Sequence, residues 1–192
     1  MSRKNHKITV GAALIALGLL GIGSAVAAAI SADSVKAAFL FRFASYVQWP
    51  DASSRQNPFV VGVAGGESIA RQLEELAPRV TIRGRRAEVR RVSRTEDLDG
   101  LQILFVEEDS LKRTRSLRRA ALEKPILLVT DTRDGLDAGS VINFVAAERN
   151  VRFEISLIAA DRAQLKIDSA LLSVAARVER RPQSAGAGES GK

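Results

Sequence analysis

The sequence has 192 residues, enough for one domain of ordinary size, and 46% of them are hydrophobic, as in globular proteins. It carries 29 Lys and Arg against 22 Asp and Glu, a formal net charge of +7, with one histidine and no cysteine. These counts exclude disulfides, thiolate catalysis, iron–sulfur clusters and cysteine zinc sites. The only histidine, His6, lies in a segment expected to be removed, so no Ser-His-Asp or Cys-His site is expected in the mature chain.

Residues 1–27 have the order of parts of a secretory signal peptide. Three basic residues precede an apolar stretch, and Ala25 and Ala27 give a small-residue cleavage pattern. We therefore predict cleavage after Ala27 and a periplasmic location. The alternative is an uncleaved inner-membrane anchor, because residues 8–30 contain no charge and are long enough to span a bilayer.

Hydrophobic periodicity predicts alternating helices and strands after this leader. The first helix begins at a cap, Ser31 or Asp33, and runs to about Gln48, where Trp49 and Pro50 end it. The other predicted helices span residues 67–77, 110–122, 157–163 and 169–178, and the predicted strands span residues 59–64, 80–82, 87–92, 101–106, 126–130, 141–145 and 151–155. Residues 51–57 and 131–140 are predicted loops, and residues 181–192 are predicted to be disordered.

The continuous apolar strands between helices predict an α/β fold of three layers, a mostly parallel sheet with helices on both faces. The strands at residues 141–145 and 151–155 are joined by a short polar turn, which predicts a C-terminal antiparallel hairpin. We expect one such domain over residues 34–180.

Two segments follow strand ends, where ligands bind in α/β proteins. Gly65 and Gly66 open a helix whose free N–H groups suit a phosphate, although the spacing matches no phosphate-binding motif and such glycines usually only make the turn. Asp131, Asp134 and Asp137 offer oxygen ligands for Ca²⁺, but they lack the EF-hand spacing and are also good turn residues. The turn interpretation is favoured for both segments, and no metal site is predicted.

Four side chains are candidates for partner or ligand binding. Trp49 is the only tryptophan and Tyr46 the only tyrosine, and they form either the edge of the core or an aromatic anchor for a partner. Arg152 and Glu154 share one face of a strand, so they either pair with each other or form a recognition site.

Two basic clusters stand out in the sequence. The first contains Arg83, Arg85, Arg86, Arg90, Arg91 and Arg94, and the second contains Lys112, Arg113, Arg115, Arg118 and Arg119. Export makes nucleic acid an unexpected partner. The favoured interpretation is two solvated faces, and the alternative is contact with anionic lipid headgroups or an acidic partner.

Several segments, in the same order, resemble the YfiR family of YfiR/HmsC-like, DUF4154-type periplasmic regulators. The specific ones are residues 35–50, which begin Val-Lys-Ala-Ala-Phe and end Trp-Pro, and residues 151–156, Val-Arg-Phe-Glu-Ile-Ser. More generic matches are residues 59–63, 84–85, 103–106 and 126–131. The resemblance covers residues 34–180.

The resemblance implies a small periplasmic α/β protein without catalysis or cofactor. Members bind the periplasmic sensor part of an inner-membrane diguanylate cyclase and hold it inactive, and release raises cyclic di-GMP and favours biofilm. An outer-membrane lipoprotein sequesters the YfiR-like protein, members form homodimers, and some relatives sit beside sensor kinases or outer-membrane receptors. Many members carry cysteines, so redox control through a disulfide is excluded for this cysteine-free chain.

The first hypothesis is therefore a periplasmic binding protein that represses a signalling enzyme. The second is a small-ligand binding protein with its cleft near Gly65, Gly66 and Asp131. The third is a hydrolase or transferase that uses carboxylates, but no spacing singles out a pair.

Overall fold

Residues 31–50, 53, 57–108, 114–146 and 150–181 are described by the computed structural model of the chain. The predicted leader (residues 1–27), most of the predicted loop 51–57, the predicted helix start at residue 110 and nearly all of the predicted tail (residues 181–192) lie outside them. No helix within the described ranges is both long enough and apolar enough to cross a bilayer.

Helices and strands alternate along most of the described chain. The helices are α1 (Ala32–Tyr46), α2 (Glu67–Leu76), α3 (Arg115–Ala121), α4 (Leu157–Arg162) and α5 (Ser169–Val174). The strands are β1 (Val47–Gln48), β2 (Phe59–Ala64), β3 (Thr81–Ile82), β4 (Arg85–Arg91), β5 (Leu101–Val106), β6 (Leu127–Thr130), β7 (Ile142–Ala146), β8 (Val151–Ser156), β9 (Lys166–Ile167) and β10 (Arg177–Glu179). Short 3₁₀ turns lie at Ala77–Arg79 and Thr95–Leu98.

Eight strands form one mixed, mostly parallel sheet in the order β10-β8-β7-β6-β5-β2-β4-β3. Strands β4, β2, β5, β6 and β7 are parallel, β8 is antiparallel to β7, and β10 is parallel to β8. At the other end, β3 is antiparallel to β4, while β1 and β9 form a separate small antiparallel sheet. The predicted α/β fold and the C-terminal hairpin are confirmed.

Helices cover both faces of the sheet, as predicted. On β2, Val61 and Val63 join the core that contains α1, α2, α4 and α5. Val60 and Ala64, on the opposite face, join a smaller core under α3. This alternation makes β2 buried along its whole length, because a strand covered on both faces has no solvent side.

The beginning of α1 is explained by its cap and its end by the residues that follow. The Ser31 side chain accepts a hydrogen bond from the Ser34 backbone at 3.1 Å, so Ser31 rather than Asp33 is the cap. The helix ends at Tyr46, two residues before the predicted Gln48. Val47 and Gln48 are extended because they pair with Ile167 and Lys166 of β9.

One predicted element is wrong in its second half. The helix predicted over residues 169–178 ends at Val174, and residues 177–179 form β10. The spacing of apolar residues predicted a longer helix with Val174 on its buried face, but Val174 is 61% exposed. The physical reason is the edge of β8, whose unpaired backbone groups gain hydrogen bonds when β10 lies beside it.

Candidate functional site

The carboxyl ends of the parallel strands form the first candidate site. The chain leaves β2 through α2 to reach β4 on one side, whereas β5 lies on the other side, which is the arrangement that opens a ligand crevice in α/β sheets. Gly65 and Gly66 lie here, both with positive φ (82° and 67°). A Cβ atom on Gly66 would lie 2.8 Å from Cγ2 of Ile69 and 3.3 Å from Oε1 of Glu107, so glycine is required there by conformation and by space.

The start of α2 carries acidic side chains, which disfavours a phosphate at this position. Glu107 lies against Gly66, and Glu67 is the first helical residue. Glu67 receives a hydrogen bond from Arg91 at 2.6 Å, which holds the pKa of this carboxyl below its ordinary value. The geometry therefore favours the turn interpretation of the two glycines.

An ion pair ties α1 to the same end of the sheet. Nζ of Lys36 lies 2.7 Å from Oδ2 of Asp131, and both side chains are mostly buried. The other oxygen of Asp131 accepts a hydrogen bond from the Glu108 backbone at 3.0 Å. Asp134 and Asp137 are exposed, and the described part of the chain holds no group of three His, Asp or Glu suited to a metal ion. No local pattern in the sequence indicates the Lys36–Asp131 contact.

A row of polar side chains crosses four neighbouring strands, and we call Thr130, Asn143, Glu154 and Arg177 the polar row. Each is the register partner of the next, from β6 through β7 and β8 to β10. Thr130 Oγ1 donates to Asn143 Oδ1 at 2.8 Å, and Asn143 Nδ2 donates to Glu154 Oε1 at 3.0 Å. Arg177 Nε donates to Glu154 Oε2 at 2.8 Å.

The loop of residues 131–140 folds against the polar row. The side chain of Asn143 accepts from the Thr132 backbone N–H at 3.0 Å and donates to its carbonyl at 2.8 Å. Oγ1 of Thr130 also lies 2.9 Å from Oγ of Ser140, and the Ser140 hydroxyl donates to the Gly135 carbonyl. Asn143 is fully buried, and this network satisfies its amide.

Trp49 lies in a corner of the core at the opposite, amino end of the parallel strands. It is only 6% exposed, its ring lies edge-on 5.4 Å from the ring of Phe59, and Nε1 donates to the Gln102 carbonyl at 3.1 Å. Gln102 occupies a bulge opposite Val60, and its side-chain oxygen accepts from the Val60 backbone at 2.7 Å. Trp49 is thus buried rather than partly exposed, and a contact with a partner stays a prediction.

The remaining candidate residues are divided among different places. Tyr46 is half-buried near the end of α1, with the Arg42 guanidinium 5.8 Å from its ring. Arg152 is exposed at the start of β8, near the same end of the sheet as Gly65. Glu154 pairs with Arg177, not with Arg152. The structure therefore brings Gly65, Gly66 and Arg152 to one end of the sheet but does not join them to Tyr46 and Trp49, at the other end.

The first basic cluster is not one surface, because its arginines serve different parts of the fold. Arg85 is buried with its guanidinium 4.9 Å from the ring of Phe59, and burial lowers its pKa. Arg91 pairs with Glu67 and Glu74 on α2. Arg83 donates to the backbone carbonyl of Val47, and Arg90 donates to that of Asp99. Arg94 forms an ion pair with Asp97.

The second basic cluster is described only in part, since residues 112 and 113 lie outside the described chain. Arg115 and Arg119 are exposed on α3. Nε of Arg118 is buried and has no hydrogen-bond partner among the described residues. Burial lowers the pKa of this arginine, with a smaller contribution from the charge of Arg115.

Two surface cavities lie away from the candidate residues. One, of about 550 Å³, lies beside β3 and β4 and is lined by Pro78, Val80 and Ala87, among others. The other, of about 340 Å³, lies at the amino ends of β5 and β6, where Lys124 pairs with Asp99 at 2.8 Å. Neither cavity is lined by any of the candidate residues Tyr46, Trp49, Arg152, Glu154, Gly65 and Gly66.

Comparison with known proteins identifies the family. The DUF4154 family, described as YfiR/HmsC-like, matches residues 33–176, and the chain belongs to this family. The family comprises periplasmic, non-enzymatic regulators of diguanylate cyclases. The resemblance predicted from residues 35–50 and 151–156 is thereby confirmed.

Similarity to solved structures concerns the fold alone. A conserved domain protein from Vibrio cholerae O1 biovar eltor str. N16961 aligns with a TM-score of 0.54 at 11% identity, over 78% of this chain and 60% of that chain. The ABC domain in complex with L-Trp from Streptococcus pneumonia aligns with a TM-score of 0.47 at 11% identity, over 62% and 56% of the two chains. This chain thus spans less than two thirds of either protein. No curated protein matches the sequence.

Proposed function

We propose that this protein represses an inner-membrane diguanylate cyclase by binding its periplasmic sensor domain. The observation that carries the proposal is the family match over residues 33–176, which includes α1 and β2 through β8. A protein of this kind works by binding alone: it shifts the cyclase toward the inactive conformation by the difference between its affinities for the two conformations.

The carboxyl end of the sheet is the surface that we assign to the partner. Arg152 and Gly65 are exposed there, and the Lys36–Asp131 ion pair holds α1 against this end. Arg152 is exposed, and its guanidinium suits a carboxylate or carbonyl of a partner. A rigid scaffold that presents an exposed arginine suits recognition of a protein surface.

The test is made in the native organism with a deletion strain and complementing variants. Deletion should raise cyclic di-GMP, and the wild-type protein should lower it again. The Arg152→Glu variant should fail to do so at equal periplasmic abundance. The matched control is Arg79→Glu, which makes the same charge change on an exposed arginine after α2. An unchanged cyclic di-GMP level in the deletion strain would overturn the proposal.

In-cell crosslinking followed by mass spectrometry identifies the partner. An inner-membrane protein with a cytoplasmic cyclase domain is the expected product, with an outer-membrane lipoprotein as a second one. Capture of a sensor kinase or an outer-membrane receptor instead would support the alternative, a periplasmic small-ligand binding protein that acts with such a receptor. It would also contradict the cyclase as partner.

A further inference from the structure

The outer edge of β4 is covered by β3 along only part of its length. Strand β3 ends the strand order of the sheet and reaches along β4 as far as Ala87, whose N–H donates to the Val80 carbonyl at 3.3 Å. Before Val80 the chain turns away in the 3₁₀ turn Ala77–Arg79. Residues 88–91 of β4 therefore have no strand on their outer side within the described part of the chain.

Two hydrogen bonds show which backbone groups of β4 point outward. The Ala87 N–H points outward, to the chain that leads into β3, whereas the Val92 N–H points inward and donates to a carbonyl of β2 at 2.9 Å. The N–H and C=O of one residue share a side, and the side alternates along a strand. Val89 and Arg91 therefore direct both groups outward, and an edge of this kind is a template for a further strand.

A groove runs along the same edge, between β4 and the turn after α2. It is the cavity of about 550 Å³, and its apolar lining residues are Ala77, Pro78, Val80, Ala87 and Val89. Ala87 and Val89 pack against the main core but are only half-buried, so part of each side chain is open to solvent. An added strand could therefore bury an apolar side chain against Val89.

The other face of β4 carries two opposite charges, two positions apart. Glu88 is exposed, and Arg90 is half-buried with its guanidinium 2.9 Å from the Asp99 carbonyl. Side chains of neighbouring strands meet in register pairs, in which opposite charges stabilise and like charges destabilise. A strand that fits this edge therefore has a basic residue opposite Glu88, an apolar residue opposite Val89 and an acidic residue opposite Arg90.

We propose that the outer edge of β4 binds an extended segment of a partner protein, which joins the sheet as a further strand antiparallel to β4. Antiparallel pairing is favoured because it is the stronger type per residue and because β3 already has this direction on the same edge. The segment then reads, in chain order, acidic, apolar and basic. Backbone hydrogen bonds to Val89 and Arg91 provide affinity, and the groove and the two charges provide selectivity.

A second copy of this chain does not fit the same edge. In an antiparallel pair of copies, a two-fold axis at Val89 would place Arg91 of the other copy opposite Ala87, where the chain leading into β3 already lies. An axis at Arg90 or Arg91 would place an arginine opposite itself, which is destabilising. The partner is therefore a different protein. This surface is separate from the Arg152 surface on β8 and does not rest on the proposed repression.

A blocked heptapeptide, Thr-Thr-Glu-Ile-Lys-Gly-Ser, tests the register against the whole purified protein. Its Glu, Ile and Lys lie opposite Arg90, Val89 and Glu88 in the proposed arrangement. Fluorescence anisotropy should show binding, and hydrogen exchange of the Val89 and Arg91 amides should slow at least about tenfold at saturation. The matched peptide with Glu and Lys exchanged should bind at least about tenfold more weakly.

Two variants test the edge from the side of the protein. Val89→Pro removes an outward N–H and keeps the bonds to β2, because proline is tolerated where the N–H faces away from the sheet, and it should weaken binding at least about tenfold. Glu88→Lys should shift the preference to the peptide with Glu in place of Lys. Glu123→Lys, the same charge change on an exposed acid after α3, should leave binding unchanged. Far-UV circular dichroism shows whether each variant folds.

In cells, a photo-crosslinking residue at position 88 should trap a partner at a segment with this alternation, located by mass spectrometry. Absence of binding at about 1 mM peptide would overturn the proposal, and so would binding that leaves the Val89 and Arg91 amides unprotected. A preference for the exchanged peptide would contradict the antiparallel register. A crosslink to a second copy would contradict a different protein as the partner. None of these results depends on cyclic di-GMP, from which repression of the cyclase is read.

Discussion

The amide nitrogen of Asn143 lies 3.0 Å from Oε1 of Glu154, which joins two buried polar side chains at register partners of the hairpin. The second oxygen of Glu154 accepts from Arg177 on β10. Glu154 therefore connects the loop that Asn143 holds to the last strand of the sheet. A buried carboxylate costs free energy unless such partners are present, so the three residues stabilise one another.

Replacing Asn143 with alanine should destabilise the fold strongly. The change removes the partners of both Thr132 backbone groups and of one Glu154 oxygen, all of them buried or nearly so. We expect a loss of about 3 kcal/mol or more in the free energy of unfolding, measured by urea denaturation. Gln48→Ala, at an exposed position in β1, is the control and should change it by less than about 0.5 kcal/mol. Equal effects would contradict the role given to Asn143.

Glu154→Gln should loosen β10 more than it destabilises the whole domain. The variant keeps the shape of the side chain but loses the charge that holds Arg177, whose side chain is 58% exposed, so the expected cost is about 1 kcal/mol. Hydrogen exchange should accelerate at the β10 amides whose N–H groups point toward β8. Arg152→Gln, on the same face of β8 but exposed, should leave the exchange unchanged.

Trp49→Phe should cost about 1–2 kcal/mol of stability. The aromatic contact with Phe59 is largely kept, whereas the hydrogen bond to the Gln102 carbonyl is lost inside the core. Circular dichroism is the measurement, because the variant has no tryptophan left. Tyr46→Phe is the control, since the Tyr46 hydroxyl accepts a hydrogen bond from Arg42 at 3.3 Å on the surface. It should change stability by less than about 0.5 kcal/mol.

Gly135→Ala should disrupt the loop over the polar row. A Cβ atom there would lie 2.2 Å from Oδ1 of Asn143 and 2.4 Å from Oγ1 of Thr130, so the network has to move. We expect a loss of about 3 kcal/mol in thermal or urea unfolding. Gly84→Ala is the control, because a Cβ atom at this position would have no other atom within 4 Å. Its expected cost is about 1 kcal/mol, from the positive φ of 78° alone. A larger loss of stability for Gly84→Ala than for Gly135→Ala would contradict the predicted crowding at Gly135.

Asp97 makes stability depend on pH in the acid range. Hydrogen bonds from the backbone N–H groups of Ser93 and Arg94 hold the pKa of Asp97 below its ordinary value of 3.8. A lowered pKa in the folded state gives stability that is present above the unfolded value and is lost as the pH falls through the folded value. Asp97→Asn should therefore lower the urea midpoint at neutral pH, and its difference from wild type should shrink below about pH 4.

The control for Asp97 is Glu123→Gln, an exposed acid after α3. It should leave the urea midpoint nearly unchanged at either pH. A difference between wild type and Asp97→Asn that stays constant as the pH falls would show that the carboxylate is not the group responsible.

The sequence predicted the central strands well because their apolar pattern reports burial on both faces. Strands β2 and β5 are found with their predicted bounds for this reason. The short strands β1, β9 and β10 were missed, since two or three residues carry no periodicity. Their extended form comes from pairing with distant strands, as Val47 does with Ile167.

The sequence indicated which residues could take part in a site, but not which of them would be in contact. Arg152 and Glu154 do share a face, but the partner of Glu154 is Arg177, in a segment predicted to be helical. The pairing of Lys36 with Asp131 spans 95 positions, and nothing local in either segment indicates it. The spacing of residues along one helix or strand predicts which face their side chains share. Contacts between different elements depend on the order of the strands in the sheet, which local spacing does not report.

The position of Arg177 near the end of the described chain has a consequence for the order of folding. If export proceeds from the amino end, residue 154 reaches the periplasm before residue 177, so Glu154 arrives before the cation that neutralises it. Until β10 docks, the hairpin carries a carboxylate that favours water over the sheet. The hairpin is therefore expected to close last, together with β10, after the parallel strands β2, β5 and β6 have assembled.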